Sequence, residues 1–293
     1  MILFPDLALA RRLEFHEAWS SGEHARTQAW LYPETGAVSQ PLTKGCLVFC
    51  GKKSPLSQVY GWGLSGPVLA TDLDRIETFY RSRGLRSRVR VCPLADPSLL
   101  QLLGERRYIV QEHMNVYARH VDALEDESPS LPDVSIQIAT PDEAGLWFEQ
   151  DGASGDWTEP DGLAFMLIRC TLKPETRLFL AWRNGRPVGG GALEIHNGVA
   201  ALMAAGTQPA FRNQGIHTAL LRARLVAAVK AGCDLAMVHT RPGAVSQRNV
   251  LRAGFQLVYT VDTMVSSSQE PPNNGMNPTC FSLRSLQAGY ANR

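Results

Sequence analysis

The 293-residue chain lacks an excess of either charge: 29 Lys and Arg against 28 Asp and Glu leave a formal net charge of +1. That balance supplies no basic field for a polyphosphate backbone or an anionic bilayer, so neither nucleic acid nor membrane is an expected partner. No apolar run reaches the roughly 20 residues of a membrane-spanning helix. The opening Met1-Ile-Leu-Phe-Pro-Asp6 has no basic stretch leading into an apolar one, as a secretory leader would. The expected location is the cytoplasm. Six cysteines, at 46, 50, 92, 170, 233 and 280, form no C-x-x-C pair, and buried free thiols are favoured over disulfides. Metal-ligand spacings, a Ser-His-Asp order and a G-x-G-x-x-G turn are also missing. With 44% apolar and only 19% charged residues, the chain has material for ordinary cores and a length suited to two domains.

What stands out is Thr207-Gln-Pro-Ala-Phe-Arg212-Asn-Gln-Gly215-Ile-His217-Thr-Ala-Leu220. Val199 to Thr207 is a small, apolar strand bounded by the hairpin signal Asn197-Gly198 and by Pro209. From Ile216, apolar residues recur at helical spacing through Leu220, Leu221, Leu225 and Val229 up to Gly232. Between strand and helix, Arg212 to Gly215 offer successive N–H groups at a helix N-terminus, where orphan donors and the helix dipole favour an anion. Gly215 lets a phosphate approach the backbone.

After Gly232 come a strand over Leu235–His239, a short helix from about Ala244 to Ala253, Gly254-Phe255, and a last strand to about Val265. This order of parts resembles the C-terminal half of the GNAT-type acyl-CoA N-acyltransferases over roughly residues 134 to 265. Arg212-Asn-Gln-Gly215-Ile-His217 is similar to their R/Q-x-x-G-x-G/A turn, with His217 where Gly or Ala is usual. The resemblance implies acetyl-CoA as cosubstrate, its diphosphate held by Arg212, Asn213, Gln214, Gly215, Ile216, His217 and Thr218. It also implies main-chain bonds from Ala205 and Thr207 to the pantetheine arm, and a contact of Asn249 near the thioester. The arm would enter where the strand ending at Thr207 splays from Leu235–His239. A Tyr four residues before the helix-ending Gly commonly serves such enzymes as an acid; that position is Val250. Ser246, His239 and Glu194 are the substitute catalytic candidates, with His196 beside Glu194. Among the residues between the first two helices, Glu149, Asp151, Asp156, Trp157, Glu159 and Asp161 suit a cationic amine. The implied function is N-acetyl transfer to a primary amine of a small molecule or peptide in a ternary complex. The alternative is a non-catalytic acyl-CoA-binding sensor.

The first 121 residues echo the same plan. Thr71-Asp-Leu-Asp74 is expected to cap a helix with Leu73, Ile76, Phe79 and Tyr80 on one face, followed by a strand over Arg88–Cys92. Asp96-Pro97 opens a short helix, and a strand runs to about Arg119. Tyr108 placed on Phe255 is a shift of 147 positions, which also sets Val91 on Val238 without a gap. The expected architecture is therefore α/β (α+β): two tandem GNAT-like domains, each a mixed, mostly antiparallel sheet flanked by helices. They would span 1–121, degenerate and without the phosphate turn, and 134–265, catalytic, across an acidic, proline-bearing linker 122–133. Trp30, Tyr32, Tyr60 and Trp62 of the first half are either pocket aromatics or ordinary core and turn residues. Residues 266–293 have the composition of a disordered tail. Monomer and homodimer both remain open.

Overall fold

The computed structural model describes residues 3–42, 45–122, 131–151 and 175–267. The described residues divide into two compact units, one built from Phe4–Asn115 with 258–267, the other from Val116–Leu257 with Leu3.

The first unit opens with α1 (Leu7–Leu31), whose N-cap Asp6 accepts the Leu9 amide at 2.8 Å. Periodicity does not reveal this helix, because its buried positions include Glu14, His16, Glu17, Ser20, Ser21, His24 and Gln28. Part of that polarity is paired internally. The Glu14 carboxylate accepts from Arg90 Nε at 2.8 Å and from the Tyr259 hydroxyl at 3.2 Å, and all three residues are buried. There follow β1 (Val38–Leu42), β2 (Gly45–Phe49), β3 (Val59–Tyr60), α2 (Ala70–Arg81), β4 (Arg88–Val91) and α3 (Pro97–Glu105). The strands lie in the order β1-β2-β3-β4, with β3 and β4 parallel through the single pair Val59–Val89. Leu73, Ile76, Phe79 and Tyr80 pack as one face of α2 against Leu47, Val59, Val89 and Leu99. The Asp96 carboxylate caps α3 by accepting the Ser98 amide at 3.0 Å.

Two expectations need correction here, and one alternative is resolved. The cap of α2 is Leu69, without a side-chain bond, because the helix starts one residue before Thr71. Tyr60 and Trp62 are core residues, each 1% exposed, whereas Trp30 is 60% exposed. Ser266 belongs to the fold: it is fully buried at the end of the last strand, its amide bonded to the Ser87 carbonyl at 3.1 Å.

The second unit takes over within β5 (Tyr108–His120) and continues through β6 (Ser135–Ile138), α4 (Ala144–Asp151), β7 (Thr176–Arg183), β8 (Arg186–His196), β9 (Val199–Thr207), α5 (Ile216–Lys230), β10 (Leu235–Thr240) and α6 (Val245–Arg252). The last strand, β11 (Gln256–Ser266), passes back to the first unit at Leu257–Val258 and pairs antiparallel with β4. Within the second unit the order is β10-β9-β8-β7-β6, antiparallel except for the β9–β10 pair. Asn184-Gly185 and Asn197-Gly198 make the two tight turns, all four residues at positive φ, as such hairpins require. At the entry to α4 the Glu143 carboxylate accepts the Thr140 amide at 2.8 Å, one half of a capping box.

Helices cover both faces of this sheet. Leu220, Leu221 and Leu225 of α5 pack with Leu193, Ala200, Leu202 and Val238, and burial of each leucine stabilises by about 1.5–3 kcal/mol. On the other face Trp147 of α4 packs against Leu178, Leu180 and Ala192, and a Cβ at Gly190 would lie 2.9 Å from its ring. Each unit thus shows the mixed, mostly antiparallel sheet with flanking helices that the sequence predicts. The shift of 147 extends to element bounds: it carries the starts of β4, α3 and β5 to 235, 244 and 255, against 235, 245 and 256 for β10, α6 and β11.

Candidate functional site

The site is built where two parallel strands part. β10 pairs with β9 through Leu235–Val199, Ala236–Ala200 and Met237–Ala201, and among the described residues the ladder stops there. The remaining residues of β9, Leu202 to Thr207, and of β10, Val238 to Thr240, continue without pairing to each other. A gap between the carboxyl ends of neighbouring parallel strands is where open α/β sheets take ligands.

On its other side β9 is bulged. Gly190 pairs with Gly206 and Ala192 with Met203, so Ala204 and Ala205 together oppose the single residue Gly191. Ala204 adopts a φ of +46°, the left-handed conformation that a bulge of this kind imposes. Each of the two parting strands ends in a threonine, Thr207 and Thr240. Their buried hydroxyls have no hydrogen-bond partner among the described residues, and a buried hydroxyl costs about 1–3 kcal/mol unless water or a ligand pairs it.

Beyond Thr207 a single-turn helix, Pro209–Phe211, leads into Arg212 in extended conformation, Asn213 at φ +62° and Gly215 at φ +83°, the N-cap of α5. The turn is exposed from Arg212 to Gly215. No amide from Asn213 to Thr218 bonds another described residue; the first bond after the cap is from Ala219 to the Gly215 carbonyl at 3.0 Å. Alternating left-handed residues before a helix gather N–H groups into a concavity suited to an anion. The side chains hold this shape from outside. Arg212 Nε donates to the Thr207 carbonyl at 3.2 Å. Gln214 donates to the Ala210 carbonyl at 3.1 Å and accepts from Arg183 at the end of β7. Ile216 is a core residue, leaving only its amide for a ligand, while Thr218 is exposed.

His217 and Asn249 are brought together. Asn249 Nδ2 lies 3.3 Å from His217 Nδ1; an amide nitrogen only donates, so Nδ1 accepts and the ring proton sits on Nε2. Burial, reinforced by the charge of Arg224, pushes the His217 pKa down to about 4, keeping the ring neutral near pH 7.

The three catalytic candidates do not converge in this way. Glu194 is fully buried in β8, opposite Ala201 and Thr176, and accepts from the Thr176 hydroxyl at 3.4 Å. His239 is half-buried beside Thr240 at the end of β10. Ser246 is half-buried in the first turn of α6 and does not cap it, since Ala244 is the N-cap. Val250 is 2% exposed in the core cluster and carries no group for acid chemistry. Of the acidic residues proposed for the acceptor, Glu149 is exposed on α4 and Asp151 ends that helix. Asp156, Trp157, Glu159 and Asp161 lie outside the described residues. Among the described residues no cluster of His, Cys, Asp or Glu could hold a metal ion.

Residues 143–255 match the model of the acetyltransferase (GNAT) family. No curated protein matches the chain. Among solved structures, a GCN5-related N-acetyltransferase from Kribbella flavida is similar over 84% of this chain and 95% of its own, with a TM-score of 0.61 at 16% identity. A GCN5-related N-acetyltransferase from Sphaerobacter thermophilus is similar over 85% and 92%, with a TM-score of 0.54 at 15% identity. A tandem GNAT protein from the clavulanic acid biosynthesis pathway is similar over 75% and 78%, with a TM-score of 0.54 at 14% identity. The match to the GNAT acetyltransferase family thus lies within the second unit, over residues 143–255.

Proposed function

We propose that this protein is an N-acetyltransferase that moves the acetyl group of acetyl-CoA to a primary amine of a small molecule or peptide, by direct attack in a ternary complex. The observation that carries the reading is the conjunction at one end of β9. The strand separates from β10 after Ala201, and six successive amides from Asn213 to Thr218 remain without a described partner just beyond it.

The diphosphate of the cosubstrate is assigned to those amides, where charge-assisted bonds and the helix dipole act together. The pantetheine arm is assigned to the gap, as an added strand bonded to the Ala205 and Thr207 main chains. The Thr207 and Thr240 hydroxyls are then available to an arm that carries amide groups of its own. Held there, the thioester carbonyl meets amide donors of the bulge, which stabilise the charge that develops on its oxygen as the amine attacks. The amine nitrogen forms its bond to the carbonyl carbon, the carbon–sulfur bond breaks, and the amine's surplus proton leaves to a base or water. Val250 supplies no acid, so catalysis here depends chiefly on positioning, with the thiolate of coenzyme A leaving unaided. Neutral His217 belongs to the cofactor side of this scheme, donating from Nε2. The first unit is read as a degenerate second copy of the fold, and the protein as cytoplasmic, monomeric or homodimeric.

Val250 also favours a second reading, an acyl-CoA-binding sensor without turnover. Calorimetry with acetyl-CoA, followed by thiol-release assays across a broad amine panel, separates the two. Saturable binding with release stimulated by at least one amine is expected. Binding without release across the panel leaves the sensor, and absence of binding rejects both.

A further inference from the structure

The β9 bulge has a support that no sequence motif announces. Arg224, on the third turn of α5, is 1% exposed. Its Nη1 donates to the carbonyls of Ala192 in β8 and Met203 in β9, each at 3.1 Å, and its Nε donates to the Leu220 carbonyl of its own helix at 3.0 Å. Ala192 and Met203 are the pair at which the β8–β9 register shifts. From the opposite face, Trp147 Nε1 donates to the Gly191 carbonyl at 3.2 Å. The carbonyls around the bulge are therefore held by side chains from α4 and α5. Gly191 makes room for this: a Cβ there would lie 2.9 Å from the Arg224 Cζ.

Burying a guanidinium is costly unless its donors are matched in geometry. Three backbone carbonyls, two of them flanking the residues that have no single partner in the ladder, give it that match. Arginine's fork is rigid, so it fixes the spacing of the two strands as well as satisfying them. Its charge lies beneath a stretch of β9 whose amides are assigned to the acyl group.

Resting on the acyl-CoA reading above, we propose that Arg224 is a positioning residue that holds the β9 bulge in the shape that receives the thioester carbonyl. It stands in for the ladder bonds that the register shift removes. The class of ligand group it serves is the acyl carbonyl, and the diphosphate end of the cofactor does not depend on it.

The test compares coenzyme A with acetyl-CoA, because only the latter has the carbonyl. Both affinities are measured by calorimetry for the wild type, Arg224→Met, Arg224→Lys and Gly191→Ala, and amide hydrogen exchange is followed at Ala204–Gly206. The wild type should prefer acetyl-CoA by about fivefold, one net hydrogen bond's worth. Arg224→Met and Gly191→Ala should keep coenzyme A affinity within about twofold, lose that preference, and exchange faster at Ala204–Gly206 while Asn213–Thr218 are unchanged. Arg224→Lys should recover part of both. Gly191→Ala retains the charge and displaces only the guanidinium, so it decides the matter if Arg224→Met does not fold. Variants that keep the preference and the exchange pattern overturn the role of Arg224 and leave the acyl-CoA reading standing. A wild type that binds neither compound overturns both.

Discussion

Two helices of this molecule follow a parallel strand and open toward its end, and they begin in opposite ways. Before α5, Asn213 and Gly215 are left-handed, the amides from Asn213 onward have no described partner, and no acidic residue stands in the first turn. Before α2, Pro67 has no N–H to offer, the Val68 amide is taken by the Ser98 hydroxyl at 2.9 Å, and Asp72 stands in the first turn. The gap between the parallel strands differs likewise. Past Val59 the first unit fills it with its own chain: the Asp96 amide bonds the Gly63 carbonyl at 2.9 Å, and a Cβ at Gly63 would meet Leu99 at 3.1 Å. Past Ala201 the second unit leaves β9 and β10 unjoined. The lesson is that an anion site at a helix start depends on what else has claimed the amides. Before α2 a proline removes one donor, a hydroxyl occupies the next, and a carboxylate brings negative charge to the first turn.

The largest effect should come from putting into α5 what α2 already has. Gly215→Asp places a carboxylate beside the free amides and forces a side chain onto φ +83°, a strain of about 1–2 kcal/mol. Its Cβ would also press on Leu131 at 3.3 Å. Acetyl-CoA affinity should fall at least about 100-fold by calorimetry, an expectation of roughly 3 kcal/mol from strain and repulsion together. Leu69→Asp, at the cap of α2, should leave it unchanged. Equal losses in both variants would mean that the asymmetry between the two helix starts has no bearing on binding.

How far the sequence discloses this asymmetry depends on the kind of order involved. Val199–Thr207 and the start of α5 at Ile216 are legible because a small apolar strand, two Asn-Gly turns and a helical repeat are local patterns. The turn of exposed amides is legible because Gly215 sits between strand and helix. By contrast α1 is hidden, since Glu14, His16 and His24 are buried where apolar residues would have signalled a helix. The bulge at Ala204 and the role of Arg224 are hidden as well. They arise from the register of β8 against β9, a relation between distant residues that no single window contains. Glu194, His239 and Ser246 are candidates by residue type alone, and type does not say which side chains a fold brings together.

The two helices also differ in the titrating group of their first turn, and this yields the next effect in size. His217 has a pKa lowered to about 4 by burial, then by Arg224, against about 6.5 in an unfolded chain. Between those values the unfolded state binds the proton and the folded state does not. Stability is therefore present above pH 6.5 and lost as pH falls toward 4, by up to about 3 kcal/mol. His217→Gln keeps the bond with Asn249 within reach and removes the proton. Its denaturation midpoint should decline less steeply than that of the wild type between pH 6.5 and 4.5. A wild type and variant with the same slope would show that His217 titrates as if it were in solvent.

The smallest effect asks whether the closed start of α2 is a matter of stability alone. Ser98→Ala removes the hydroxyl that accepts the Val68 amide and leaves that donor partly buried without its bond. The loss should be about 1–2 kcal/mol of stability, read as a lower denaturant midpoint at unchanged slope. The variant also frees one amide at the start of α2 and so makes it slightly more like α5. If free amides alone made an anion site, acetyl-CoA or inorganic phosphate would now bind there with a second, weak isotherm. Asp72 remains in the first turn and Pro67 still has no donor, so only one titratable isotherm is expected, identical to that of the wild type. A second binding event in Ser98→Ala would show that the two halves differ by a single hydroxyl. Its absence, with the stability loss, would show that the closure of α2 is distributed over proline, hydroxyl and carboxylate, and that the openness of α5 rests on lacking all three.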